Sequence, residues 1–159
     1  MRPILLYILM PAVLAVLLTN VSALAAVRGD HAMYVGGTIT GIQKDTEGKL
    51  DLSGGTDLIF IYHKETVLHI PFRQIVSIEY GQHAGRRIRA ALLGGGWPLL
   101  LSHKRRHYLS LGFKDETGRE QAAVFELAKH TVRTTLATLK AKSGKEVEFD
   151  SEDAKKNVD

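Results

Sequence analysis

Alternation of apolar and polar residues is the main pattern in the middle of the chain, and it predicts antiparallel strands. Residues 57–62 (DLIFIY) and 66–70 (TVLHI) flank a short polar turn and predict one hairpin. Residues 107–113 (HYLSLGF) and 121–127 (QAAVFEL) flank the polar stretch KDETGRE and predict a second hairpin. The alternation places two sets of side chains on opposite faces of the strand 107–113: Leu109, Leu111 and Phe113, against Tyr108, Ser110 and Gly112.

Three further segments have strand character: residues 34–42 (YVGGTITGI), 50–52 (LDL) and 76–80 (VSIEY). In the last of these, Val76, Ile78 and Tyr80 are expected on one face, because side chains alternate along a strand. Pro71 ends the preceding strand, since proline has no N–H to donate to the ladder. Residues 72–75 then predict a tight corner between the two strands.

The apolar period changes near the C-terminal end. Val132, Leu136 and Leu139 stand at i, i+4 and i+7, which predicts an amphipathic helix. Gly144 is placed to end it, because glycine accepts the left-handed conformation found after helices. Beyond it, residues 147–149 favour one short edge strand.

The predicted fold is therefore mainly β with one C-terminal α-helix, arranged as a bent antiparallel sheet or partly open small barrel that the helix covers. We expect this domain to occupy residues 34–150 and residues 27–33 to be a connector. Residues 151–159 are charged and lack large apolar groups, which predicts a disordered tail.

The first 26 residues have the layout of a secretory signal peptide, which is expected to be helical. Arg2 is followed by an apolar run over residues 4–18, and Ala23-Leu24-Ala25 supplies the small residues of a cleavage site. An uncleaved N-terminal anchor is the alternative, since a membrane span needs about 20 apolar residues. The sequence thus predicts an exported protein, periplasmic or extracellular. It contains no cysteine, which excludes disulfides, thiolate metal sites and a lipoprotein-type anchor.

The stretch IPFRQIVSIEYG (70–81), the hairpin that follows it and the closing helix resemble the pattern of bacterial pleckstrin-homology-like and GRAM-like domains, as found in small exported bacterial proteins. The resemblance spans most of the chain after the signal. It implies a barrel of about seven strands capped by a helix and used mainly as a binding module. This chain departs from the pattern through an apolar insertion at residues 90–101. The lysine and arginine positions of lipid-binding loops do not match, so a phosphoinositide role does not follow.

Residues 86–106 (RRIRAALLGGGWPLLLSHKRR), here called the basic segment, combine twelve uncharged residues with basic clusters at both ends. Twelve helical residues reach about 18 Å, which is too short for a hydrocarbon core of about 30 Å. The three glycines and Pro98 would also break a helix. No Gly-Lys-Ser/Thr follows the glycines, so the segment is not a nucleotide-binding P-loop.

Two interpretations of the basic segment remain open. In one, its apolar residues pack on the barrel as an accessory core. In the other, they enter a membrane interface while the flanking cations bind anionic lipid phosphates. The candidate lipid- or anion-binding residues are Arg86, Arg87, Arg89, Lys104, Arg105 and Arg106. The candidate membrane-insertion residues are Leu92, Leu93, Trp97, Leu99 and Leu100.

Catalytic patterns are weak in this sequence. His103 and His107 are separated by three cations, which would repel a metal, and His63 and His69 flank a hairpin without an evident third ligand. No G-x-S-x-G or HExxH motif is present. We therefore expect no enzyme, cofactor or catalytic or structural metal, and no nucleotide. Nucleic acid is not expected either, because export removes the usual partners.

The expected function is an exported, non-catalytic binding module that associates peripherally with an anionic membrane surface. The alternative is a peptide- or protein-interaction module, with the apolar loop packed on the barrel and the ligand along a barrel edge.

Overall fold

A computed structural model describes residues 30–82, 106–156 and 158, and within these ranges the chain is mainly β with a C-terminal helix, as predicted. The described strands are β1 (Asp30–Gly37), β2 (Thr46–Asp51), β3 (Asp57–Tyr62), β4 (Glu65–Pro71), β5 (Ile75–Gly81), β6 (His107–Lys114), β7 (Glu120–Leu127) and β8 (Val147–Phe149). The helices are α1 (Val132–Ser143) and α2 (Glu152–Lys156), and a 3-10 turn spans Phe72–Gln74.

The eight described strands form one sheet in the order β4-β3-β2-β1-β7-β6-β5-β8, antiparallel except for the β5–β8 pair. β4 lies at one edge and β5 is six strand positions away, yet only Phe72–Gln74 joins them. Six spacings in a flat sheet would cover about 29 Å, whereas the chain across that corner reaches about 14 Å at most. The sheet is therefore strongly bent, although it does not close into a barrel.

The main core fills the inside of this bend. Phe60 and Phe125 have ring centroids 5.3 Å apart, and Tyr34 packs edge-on against Phe125 at 5.8 Å. Helix α1 adds Val132, Leu136 and Leu139, all buried as the i, i+4, i+7 spacing predicts. Gly144 ends this helix in the left-handed conformation with φ 69°, and its N–H donates to the carbonyl of Lys140.

The first strand differs from the prediction in both of its boundaries. It begins at Asp30 instead of Tyr34, because Ala32 is paired with Gly48 of β2 on one side and Leu127 of β7 on the other. The expected connector 27–33 is thus wrong for residues 30–33. The strand ends at Gly37, so the TITGI part of the predicted strand is loop.

Strand β5 contains a β-bulge that the alternation pattern does not reveal. The register shifts between Ile75 and Ser77, so Ile75 is buried while Val76 is 43% exposed. Ile78 and Tyr80 are buried as expected, but placing Val76 on the same face was wrong. A bulge inserts one residue and reverses the side-chain alternation on one side of it.

The C-terminal residues are more ordered than their composition suggests. Residues 147–149 form β8 beside β5, as predicted, and α2 follows directly. Ala154 of α2 is fully buried in the main core, and the Nε of Arg133 donates to the carbonyl of Val158 at 2.7 Å. The predicted disordered tail is therefore helical over Glu152–Lys156, because one small apolar side chain anchors it.

Candidate functional site

Arg106 is the one candidate lipid-binding residue that falls within the described ranges. Its Nη1 lies 2.6 Å from Oε2 of Glu126, and this neighbouring carboxylate raises the pKa of Arg106. The ion pair joins the residue before β6 to β7. The other candidate cations and the insertion candidates, including Trp97, lie outside the described residues.

The basic segment leaves and re-enters the sheet at neighbouring positions. Gly81, the last residue of β5, is paired with Tyr108 of β6. His107, which precedes Tyr108 and begins β6, is paired with Leu127 of β7. Leu127 is in turn paired with Ala32 of β1. Four adjacent strands thus meet at what we call the junction end, about 14 Å across at three strand spacings. Both the basic segment and residues 1–29 connect to the sheet there.

A tyrosine–histidine contact lies at the junction end. The hydroxyl of Tyr80 is 2.6 Å from Nδ1 of His107, and the two rings are parallel within 7°. Burial, together with the Asp150 carboxylate, raises the pKa of Tyr80 to about 12. Burial and the charge of Lys129 lower the pKa of His107 below its usual value. A protonated phenol beside a neutral imidazole is therefore the stable form of this pair at neutral pH.

The outward face of β1, β6 and β7 forms a second apolar cluster of Val35, Tyr108 and Val124. Their side chains are 1%, 4% and 3% exposed. Ser110 on the same face is also buried, whereas Leu109, Leu111 and Phe113 belong to the main core. The predicted division of β6 into two faces is thus confirmed. Both faces are buried from Tyr108 to Phe113.

At the opposite end of β5, β6 and β7 lies a groove of about 1100 Å³. The β4–β5 corner, the β6–β7 hairpin and the loop after β1 surround it. Its buried lining residues include Leu68, Phe72 and Phe113. We call this cavity the groove. Most of its lining residues are polar or charged, and Leu68, Phe72 and Phe113 form a largely buried apolar floor beneath them.

Several charged rim residues already hold neighbouring loops. Asp115 accepts hydrogen bonds from the backbone and side chain of Thr117, from Arg119 and from Gln121, which keep the pKa of Asp115 far below its usual range. Lys142 donates to the carbonyls of Leu52 and Gly54 at 2.6 Å each. These groups organise the rim and are not available to a ligand without breaking those bonds.

Arg73 differs from these rim residues. It lies in the 3-10 turn at the corner, is exposed and lines the groove. Within residues 30–82 and 106–156 no hydrogen bond or ion pair is recorded for it. Its guanidinium is therefore available to an incoming anion.

The described histidines considered for catalysis lie in separate surroundings, and His103 lies outside the described residues. The ring of His63 lies 4.1 Å from that of Tyr62, tilted by 55°, while Nε2 of His69 lies 3.4 Å from Oδ2 of Asp57. The β3–β4 register brings Asp57 beside His69, although the two residues are far apart along the hairpin. Among the described residues no three His, Asp or Glu side chains are grouped to hold a metal ion.

No helix in the described part of the chain is long and apolar enough to cross a membrane.

The groove was missed from sequence, although both of its main walls were predicted as a corner and a polar hairpin. Their meeting depends on how the sheet bends, and no local pattern reports that.

Comparison of the chain with protein-family models, with curated proteins and with solved structures gives no match.

Proposed function

We propose that this protein is an exported, non-catalytic binding module with a pleckstrin-homology-like fold, and that it attaches to anionic membrane surfaces at its junction end. Export is supported by the basic start, apolar run and A-x-A site of residues 1–26. The fold assignment is supported by a bent, mainly antiparallel sheet followed directly by a packed helix.

One observation is the main support for membrane attachment. The connection that contains the basic segment leaves β5 after Gly81 and returns to β6 at His107, at neighbouring positions of the junction end, and β1 begins at the same end. After cleavage of the signal, the basic segment is the strongly apolar stretch that remains, and it connects to one end of the sheet while the groove lies at the other. In this arrangement the junction end can bind a membrane surface while the opposite end binds a ligand.

The charge of the basic segment supplies the expected binding energy. Between Glu79 and Asp115 the sequence has seven cations and no acid, and six of the seven lie in the basic segment. Each cation near an anionic leaflet is worth about 1 kcal/mol. Arg106 is already paired with Glu126, so its share is reduced. The binding free energy from the remaining cations adds to that from a few inserted leucines, so the sum is larger than either group would provide alone.

The test is co-sedimentation of the protein, as isolated after export, with vesicles containing phosphatidylglycerol or with neutral phosphatidylcholine vesicles. We expect binding to the anionic vesicles that weakens as salt rises, because screening shortens the reach of each charge. Arg86→Glu with Arg87→Glu should lower the bound fraction at least tenfold. Equal binding by this double variant would refute the proposed attachment.

A matched control has the same change in net charge at other positions. Lys114 and Lys145 are exposed and lie away from the junction end, Lys114 at the end of β6 and Lys145 before β8. Lys114→Glu with Lys145→Glu should leave vesicle binding within about twofold, since both charges lie roughly 20 Å from the junction end and are largely screened. A loss as large as that of the first double variant would indicate a net-charge effect and no specific surface.

A second candidate function is a peptide- or protein-interaction module whose apolar loop packs on the sheet. The outward cluster of Val35, Tyr108 and Val124 favours it, because Tyr108 directly follows the segment's return to β6. Trp97 is the single tryptophan of the chain and separates the two candidates. Its emission should shift to shorter wavelength only when anionic vesicles are added. Short-wavelength emission without vesicles, unchanged by adding them, would favour the packed loop.

A further inference from the structure

We propose that the groove binds an extended polypeptide segment with an acidic side chain, and that this segment pairs with the open edge of β4. The inference rests on the proposed binding-module function, and it names a partner class for the end of the domain opposite the membrane surface. It does not depend on the basic segment.

The backbone of β4 has an open edge at His69. The N–H of Phe72 donates to the carbonyl of Thr56 at 2.9 Å, so the neighbouring pair Asp57–Pro71 is a non-hydrogen-bonded pair. Two residues earlier, the pair Ile59–His69 has the same character, since the antiparallel pattern repeats every two residues. The N–H and C=O of His69 therefore point away from β3.

No described strand lies beyond β4, and none of the described residues forms a recorded hydrogen bond with the His69 backbone. An extended peptide could therefore form two backbone hydrogen bonds with His69. It would accept one from the N–H of His69 and donate one to its C=O. The C=O of Pro71 points to the same side and adds one acceptor. Edge pairing of this kind provides affinity through backbone hydrogen bonds with little demand on sequence.

The side chains beside this edge provide the sequence preference. Leu68, Phe72 and Phe113 line the groove but are only 9%, 3% and 4% exposed, so they form its closed floor, and the accessible lining around them is mostly polar. A strand places alternate side chains on opposite faces. The bound segment should therefore place every second side chain over this floor and its polar rim, and the others toward solvent.

Charge selects the acidic character of the partner. Arg73 lies at the corner directly after Pro71 and Phe72, without a recorded partner in the described residues, whereas Asp57 already interacts with Thr56 and His69. A carboxylate is the natural partner of an exposed guanidinium. Glu116 on the hairpin side of the groove would repel a second acid there. The preferred ligand thus has its acid close to the corner.

The test uses three fluorescein-labelled ten-residue peptides of alternating valine and threonine. One has a central glutamate, one a central lysine, and one the glutamate with N-methylated valines. Fluorescence anisotropy with the protein as isolated should show saturable binding of the glutamate peptide, at least tenfold tighter than the lysine peptide. N-methylation should abolish binding. No saturation at millimolar protein would overturn the proposal.

Two pairs of variants locate the contact. Arg73→Glu should reverse the preference between the glutamate and lysine peptides, whereas Lys114→Glu, outside the groove, should leave it unchanged. His69→Pro removes the outward N–H and should lower affinity at least tenfold, while His69→Ala keeps that N–H and should retain it. Proline is tolerated where an edge N–H faces solvent, and circular dichroism would verify the fold. Equal affinity of these two His69 variants would refute edge pairing.

Vesicle binding by the same variants keeps the two proposals distinguishable. Arg73→Glu should still co-sediment with anionic vesicles, and Arg86→Glu with Arg87→Glu should still bind the glutamate peptide. Loss of vesicle binding in Arg73→Glu would mean that the groove receives an anionic headgroup, which would overturn the peptide proposal. Loss of peptide binding alone would leave membrane attachment standing.

Discussion

The hydroxyl of Tyr80 and Nδ1 of His107 lie 2.6 Å apart across the β5–β6 pair, directly beside the residues where the basic segment joins the sheet. The contact holds the return of the chain into β6 against the end of β5. It therefore fixes the two strand ends between which the basic segment lies in the sequence.

Removing the hydroxyl of Tyr80 should destabilise the fold. Tyr80 is 1% exposed and His107 is partly buried, so Tyr80→Phe removes the hydrogen-bond partner of a His107 nitrogen that solvent reaches only in part. We expect a loss of about 1–2 kcal/mol in the free energy of unfolding, measured with urea. Tyr62→Phe is the control, because Tyr62 is 40% exposed and no hydroxyl hydrogen bond is recorded for it. A loss of the same size in both variants would contradict the assigned role of the contact.

The stability of the protein should fall as the pH drops below about 6.5. Burial and Lys129 lower the pKa of His107, while Glu126 opposes them, so the folded state holds the imidazole neutral. Over the interval between the folded and unfolded pKa values the unfolded chain binds more protons, and stability then rises with pH. Urea midpoints at pH 7.5 and 5.5 should therefore differ more for the native protein than for His107→Gln. An unchanged pH dependence in the variant would exclude His107 as the source.

The bulge in β5 predicts unequal effects of two substitutions that lie two residues apart. Ile78 is fully buried, so Ile78→Ala should cost about 2–5 kcal/mol of unfolding free energy. Val76 is 43% exposed, and Val76→Ala should stay within about 0.5 kcal/mol. Urea denaturation of both variants measures the difference. Comparable losses would mean that β5 alternates regularly and has no bulge.

Gly37 at the end of β1 should not tolerate a side chain. Its φ is 153°, and an added Cβ would clash with the carbonyl oxygen of Ala122 on β7. Gly37→Ala should destabilise the protein by about 1–3 kcal/mol, the usual cost of a strained backbone position. Gly55→Ala is the matched control, since nothing lies within 4 Å of a Cβ there. Thermal midpoints of the two variants should differ by several degrees, and equal midpoints would contradict the described β1–β7 contact.

Local pattern was enough to predict most of the elements. The alternating runs that became β3, β6 and β7 were placed within one residue of their boundaries, and the stripe Val132, Leu136, Leu139 became the buried face of α1. In these segments the side chains that repeat with the period of the element are also the ones that the core needs. The apolar repeat in these segments therefore predicts both the type of element and the face of it that is buried.

The groove and the junction end depend on contacts that are distant in sequence. Arg73 and Asp115 line one cavity only because a three-residue corner forces the sheet to bend. The Asp57–His69 pair likewise depends on the β3–β4 register, and the buried Ala154 on the docking of α2. Hydrophobic periodicity specifies which face of a strand is buried, because it arises from neighbours two residues apart. Strand order, register and bend arise from pairing across the whole chain, so only the folded sheet determines which side chains share a site.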